Sequence, residues 1–142
     1  MADIKTINNS SDIMHCFEVI HTLRPHLNEE QTIACFEQMR SEGYHAVYVE
    51  DNGKAMAYCG YRFITHYFSG SAMYIDDLVT VADARNKGYA SLLLDHVIEI
   101  GNKKGLETIR LDSGHHRHDA HRLYLNKGFH IHSHNFSMTL KK

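Results

Sequence analysis

Apolar residues along this chain change period several times, and each change marks an element. Positions 3–7 read as a short strand. Ile13, Cys16, Phe17 and Ile20 then recur at helical spacing within 12–23, behind Ser10 and Ser11 as N-cap candidates. Pro25 breaks the pattern. Asn28, with Gln31 three residues on, predicts a capping box for a helix running to about Arg40, with Ile33, Phe36 and Met39 on its buried face and Gly43 beyond its end. From His45 the period falls to two. HAVYVE predicts a strand, Asn52-Gly53 a hairpin turn, 54–67 a long second strand and 72–81 a third. Leu93, Leu94, Val97, Ile98 and Ile100 restore helical period over 89–103, and ETIRL at 107–111 reads as another strand. A helix over about 116–126 stops at Gly128, and 130–133 with 135–140 reads as a closing strand or pair.

The predicted order is β-α-α-β-β-β-α-β-α-β(β), an α+β fold around a mixed central sheet. The helical crossover makes strands 72–81 and 107–111 parallel. Between the third strand and the helix at 89 lies Arg85-Asn86-Lys87-Gly88-Tyr89-Ala90. A strand that feeds such a turn and then a helix start presents unpaired N–H groups and the positive end of a helix dipole, a ready anion site. The turn holds neither the dinucleotide glycine fingerprint nor the Walker loop.

Composition narrows the setting. A chain of 142 residues with 43% hydrophobic and 23% charged content predicts one domain spanning 1–142. A formal net charge of −2 gives no broad field for nucleic acid, so an anion site must be local. No window approaches a membrane span and the N-terminus carries no apolar leader, which predicts a cytoplasmic protein without a membrane partner. Cys16, Cys35 and Cys59 are odd in number and widely spaced, as expected of buried or partly buried free thiols in a reducing compartment. Histidine is the outlier at 13 residues, with His115, His116, His118, His121, His130, His132 and His134 inside one stretch of twenty.

Two segments carry a resemblance. Arg85-Asn86-Lys87-Gly88-Tyr89-Ala90 matches each fixed position of Q/R-x-x-G-x-G/A, the pyrophosphate loop of the GNAT family of N-acetyltransferases. Ala120-His121-Arg122-Leu123-Tyr124-Leu125-Asn126-Lys127-Gly128-Phe129 is similar to that family's A-x-x-L/F-Y-x-x-x-G-F. The two lie in the family's order, on the expected elements, and the resemblance covers roughly residues 72–140. The segment around Tyr124 also resembles aminoalkylphosphonate N-acetyltransferases.

The resemblance implies acetyl-CoA as co-substrate, with no metal, and a small-molecule amine as acceptor. It places the pyrophosphate over the amides of Asn86, Lys87, Gly88, Tyr89, Ala90 and Ser91, with Arg85 or Lys87 at the rim. It implies that the strands on either side of the crossover splay, so that Leu78, Val79 and Val81 offer main-chain partners to the pantetheine arm and an N–H near Val79 faces the thioester oxygen. Tyr124 becomes the proton donor to the leaving thiolate, since a phenol is still protonated where a thiol of pKa about 8.5 titrates. An acceptor ammonium needs a base, and Asp76 and Asp77 interrupt an apolar strand where a carboxylate is costly unless used or paired. Strand alternation sends them to opposite faces. Asp77 is favoured, with pairing to a helix-end cation as its structural alternative and a water-mediated base equally open. Where the family often has Asn, this chain has Arg117, a candidate for a CoA phosphate or an anionic group of the acceptor. Two alternatives stand beside the enzyme: a histidine-rich metal-binding domain, and a non-catalytic CoA-binding or interaction domain. The family also suggests a homodimer through the C-terminal strands.

Overall fold

The computed structural model describes residues 1–141. These form two compact units, a first of Met1–Leu111 and a second that starts at Asp112.

The first unit opens with β1 (Asp3–Thr6), followed by α1 (Ser10–His15), α2 (Phe17–Leu23) and α3 (Glu29–Ser41). Asn9, not Ser10 or Ser11, caps α1, its side chain accepting from the Asp12 N–H at 3.0 Å. The single helix expected over 12–23 is two, because Cys16 leaves helical geometry (φ −96°, ψ 3°) while its N–H bonds back into α1. The predicted capping box is present: Asn28 accepts from the Gln31 N–H at 2.8 Å, and Gln31 accepts from the Asn28 N–H at 3.0 Å.

Strands β2 (Tyr44–Asp51), β3 (Lys54–His66) and β4 (Gly70–Thr80) form a meander. Its first turn has positive φ at Asn52 and Gly53, as expected of an Asn-Gly hairpin. A short 3-10 turn (Ala82–Ala84) leads to α4 (Tyr89–Lys103), and β5 (Thr108–Leu111) returns parallel to β4. The sheet order is β1-β2-β3-β4-β5. Residues paired across strands share a face. Tyr48, Tyr58 and Val79 form a row on the side where Ile13, Cys16, Val19 and Phe36 of the first three helices pack. Val47, Cys59 and Leu78 form the adjoining row on the opposite face, where α4 brings the buried Leu93, Leu94 and Val97. Cys16 and Cys59 are buried free thiols, and burial pushes the Cys16 thiol up to about 12. Cys35, expected to be buried or partly buried, is exposed on α3.

The second unit holds α5 (His118–Asn126), which begins two residues later than expected because the Arg117 N–H closes a turn on the Gly114 carbonyl at 3.0 Å. The strands expected over 130–140 are absent among the described residues. His130, His132 and His134 alternate without an apolar partner row, and Ile131, Phe136, Met138 and Leu140 are all exposed. No helix among the described residues is long and apolar enough to cross a membrane.

Removing the capping box tests how far local hydrogen bonds set stability. Asn28→Ala is expected to lower the unfolding free energy by about 1 kcal/mol, read as a lower urea midpoint at unchanged slope.

Candidate active site

The site begins where two strands part. β4 and β5 pair only from Ala72↔Thr108 to Ile75↔Leu111, so Asp76–Thr80 have no strand partner on that side. The Val81 N–H donates to the Met56 carbonyl at 3.0 Å. In an antiparallel ladder, alternate residues direct their main-chain groups to opposite sides. Val79 and Val81 are therefore turned toward β3, and it is Leu78 and Thr80 that present N–H and C=O to the open edge. This corrects the expectation that Val79 and Val81 supply edge groups, and adds Thr80, which had not been singled out. The parity depends on a bulge that no local pattern announces.

The anion turn follows directly. Asn86 (φ 66°) and Gly88 (φ 82°) both adopt left-handed backbone, a conformation glycine takes at no steric cost. Gly88 sits at the N-cap of α4, no side chain caps the helix, and its first turn carries no acidic residue. The N–H groups of Tyr89, Ala90 and Ser91 precede the first intrahelical bond, from the Leu92 N–H to the Gly88 carbonyl at 3.0 Å. A Cβ on Gly88 would meet nothing within 4 Å, so the approach to these amides is open. Arg85, Asn86 and Lys87 are exposed around it. The donor set suits a pyrophosphate. Tyr89 fixes the turn from behind: its hydroxyl donates to Asp51 Oδ2 at 2.6 Å, which holds the Asp51 carboxyl below its ordinary range and raises the Tyr89 phenol.

The two carboxylates do not diverge as alternation predicts. The β3–β4 register runs Gly60↔Asp77 and then Tyr61↔Ile75, leaving Asp76 as the extra residue of a β-bulge. Both side chains consequently gather about Tyr44. The Tyr44 hydroxyl donates to Asp77 Oδ2 at 2.8 Å, and Arg24 at the end of α2 donates to Asp77 Oδ1 at 2.9 Å. The Arg62 guanidinium lies over the Tyr44 ring and donates through Nε to Asp76 Oδ2 at 2.8 Å. Tyr44 gives its proton to Asp77, so the 2.9 Å contact with Tyr58 is a donation from the Tyr58 hydroxyl to Tyr44. Burial raises both phenols and keeps them protonated. It also raises the Asp76 carboxyl, with Arg62 opposing. Gly60 makes this possible, because a Cβ there would occupy the position of the Tyr44 hydroxyl.

Tyr44, Tyr58, Asp77 and Arg24 form the polar end of a cavity of about 310 Å³, whose walls include Ile20, Leu23, Phe36, Met39 and Val79. Arg24, Arg62, Tyr44 and Tyr58 had not been identified from the sequence. Their contacts span between 14 and 53 residues of chain, with no local motif to mark them.

In the second unit, Tyr124 is buried on α5 with its ring 5.9 Å from that of Phe129, and the Phe129 N–H donates to the Tyr124 carbonyl at 3.0 Å. Arg117 is the half-buried N-cap of α5. His118 and His121 stand 6.1 Å apart edge to face, and His121 contacts the Gly114 carbonyl at 2.9 Å. Among the described residues no three His, Cys, Asp or Glu side chains are grouped to hold a metal ion, which leaves the metal-binding alternative without a ligand set there.

A parted strand edge leading into an amide-lined turn is an arrangement that suits an acyl-CoA transferase, and comparison with known proteins gives the family. Residues 11–129 match the model of the Acetyltransferase (GNAT) family. "Uncharacterized N-acetyltransferase YhdJ" of Bacillus subtilis (strain 168) is 33% identical over 138 residues, covering 96% of this chain and 97% of that protein. The chain belongs to the GNAT family and is an acetyltransferase that uses acetyl-CoA. The fold is shared with aminoglycoside N-acetyltransferase AAC(6')-Iy in complex with CoA, at TM-score 0.85 and 16% identity over 100% of this chain and 96% of that one. It is shared too with glucosamine-6-phosphate N-acetyltransferase from Arabidopsis thaliana, at TM-score 0.80 and 20% identity over 99% of each chain.

Gly60→Ala tests the packing under the carboxylates. The added methyl forces Tyr44 off Asp77, with an expected loss of about 1–3 kcal/mol, read as a lower melting temperature.

Proposed function

We propose that this acetyltransferase moves the acetyl group of acetyl-CoA directly onto a primary amine of a small molecule. The observation that carries the reading is the open β4 edge at Leu78 and Thr80, placed between the amide-lined turn 85–90 and the Asp77 end of the cavity. On this reading Arg85, Lys87 and the amides of 86–91 hold the pyrophosphate, and the β4 edge pairs with the amides of the pantetheine arm. The Leu78 N–H points to where negative charge develops on the thioester oxygen.

Asp77 receives the acceptor ammonium at the cavity's polar end, directly or through water, and takes up its proton. The freed amine nitrogen bonds to the acetyl carbon, the carbon–sulfur bond breaks, and the sulfur leaves as a thiolate. Tyr124 supplies the proton that turns it into a thiol, a role assigned on its motif and on the chemistry of a phenol. Arg117 is assigned to a CoA phosphate on the same ground. Asp76, held by Arg62, keeps the bulge closed and serves as the second carboxylate. The whole chain acts as one GNAT domain, in keeping with a family match that runs across residues 111 and 112. Three free thiols fit a reducing, cytoplasmic setting.

Acetyl-CoA is expected to raise the melting temperature of the wild-type protein, and Gly88→Asp to abolish that shift by placing a side chain and a negative charge against the phosphates. A shift that survives Gly88→Asp removes the turn from the reading. With an acceptor in hand, Tyr124→Phe is expected to lower kcat about 100-fold at unchanged acceptor KM, whereas an unchanged kcat rules out the proton-donor role.

A further inference from the structure

The cavity's polar end is not a lone carboxylate but a carboxylate already paired with a cation. Asp77 Oδ1 is held by Arg24 and Oδ2 by the Tyr44 hydroxyl, while the Arg24 guanidinium also reaches the Asp76 carbonyl at 3.3 Å. The nearest further charges, Asp76 and Arg62, are a second ion pair. Glu42 also lies 3.9 Å from Arg62, but none of these three lines the cavity, whose two permanently charged residues, Arg24 and Asp77, balance one another. A simple monoamine entering to reach Asp77 brings a positive charge beside Arg24 with nothing to offset it. A polyamine brings several.

An acceptor that carries its own anion has the opposite fit. Its ammonium takes the Asp77 oxygen that Arg24 vacates, and its anion takes Arg24, so that one ion pair becomes two with no charge left over. The geometry allows the exchange: the Arg24 side chain is 43% exposed and can swing outward, while that of Asp77 is 15% exposed and stays in place. Arg24 is the C-cap of α2, its N–H bonded to the Ile20 carbonyl at 2.9 Å, so the backbone stays anchored while the side chain moves. Beyond this pair the walls turn apolar, with Ile20, Leu23, Phe36 and Met39 facing the space. A volume of about 310 Å³ is the share of roughly ten waters. It sits at the small end of ligand pockets, enough for one compact side chain and too little for an oligosaccharide.

We infer that the acceptor is a small zwitterion, a primary amine with an adjacent carboxylate or phosphonate and an apolar side chain, and that Arg24 determines its selection. This rests on the acetyltransferase reading above. The amine on Asp77 loses its proton, the nitrogen–acetyl bond forms, CoA leaves as the thiol, and the product keeps its anion on Arg24.

The test compares acetyl-CoA consumption, read as free thiol, across four acceptor groups. These are L-leucine, L-methionine and L-phenylalanine; the matching 1-aminoalkylphosphonates; the decarboxylated amines isoamylamine and phenethylamine; and spermidine with kanamycin. One of the first two groups is expected to exceed the bare amines in kcat/KM by at least about 100-fold, and their ratio separates carboxylate from phosphonate. Arg24→Met is expected to remove that preference, with Arg24→Lys keeping part of it. Melting temperatures of both variants exclude misfolding as the cause.

Preference for a bare amine, spermidine or kanamycin overturns the inference. So does a preference unchanged in Arg24→Met, or binding of acetyl-CoA without acetylation of any zwitterion. Each of those leaves the acetyltransferase reading standing. Absence of any acetyl-CoA thermal shift brings down that reading and the inference with it.

Discussion

The site depends on main-chain groups that a parallel sheet would normally consume. β5 pairs with β4 for four residues and then departs, which leaves the Leu78 and Thr80 amides and carbonyls without a strand neighbour. Unpaired backbone groups are costly where water is excluded, so an edge of this kind is tolerated where solvent or a ligand can bond to it. The pantetheine arm, a chain with amides of its own, is a partner of the right kind. The turn at 85–90 follows that strand after one short 3-10 turn, Ala82–Ala84, so edge and turn are close neighbours along the chain.

A second constraint acts beside it. The bulge at Asp76 puts two consecutive carboxylates near one tyrosine instead of on opposite faces of the sheet. Two half-buried carboxylates close together are unfavourable unless each has a cation and hydrogen bonds of its own. Arg24 and Arg62 meet that need from different elements, and Tyr44 and Tyr58 add a relay of two protonated phenols ending on Asp77. Gly60 is the space in which this is built. The result joins the first three helices to the functional strand by polar contacts, so the acceptor side of the site and the core beneath it stabilise one another.

Local chemistry explains which parts were legible beforehand. The Asn28 capping box, the Asn52-Gly53 turn, α4 and the glycine turn that opens it are each written within a few consecutive residues, and the structure has these local conformations. The break at Cys16 was hidden because an apolar stripe continues through it, while the two halves pack differently, α1 on α3 and α2 on β3 and β4. The strands expected near the C-terminus failed for a related reason. Alternation of His with Ile131, Ser133 and Asn135 imitates a strand, but a strand also needs a partner edge, and pairing is not a local property.

Sequence by itself determined the family, the helical crossover and the glycine turn ahead of α4, because each follows from spacing along the chain and from backbone conformations few residues adopt. Tertiary structure alone decided the rest. The bulge reversed the parity of β4, moved the edge groups from Val79 and Val81 to Leu78 and Thr80, and drew Asp76 and Asp77 together. It also brought Arg24 to Asp77 across 53 residues of chain. Side chains that far apart carry no mutual signal in the sequence, since their meeting is set by the packing of helices on a sheet rather than by either neighbourhood.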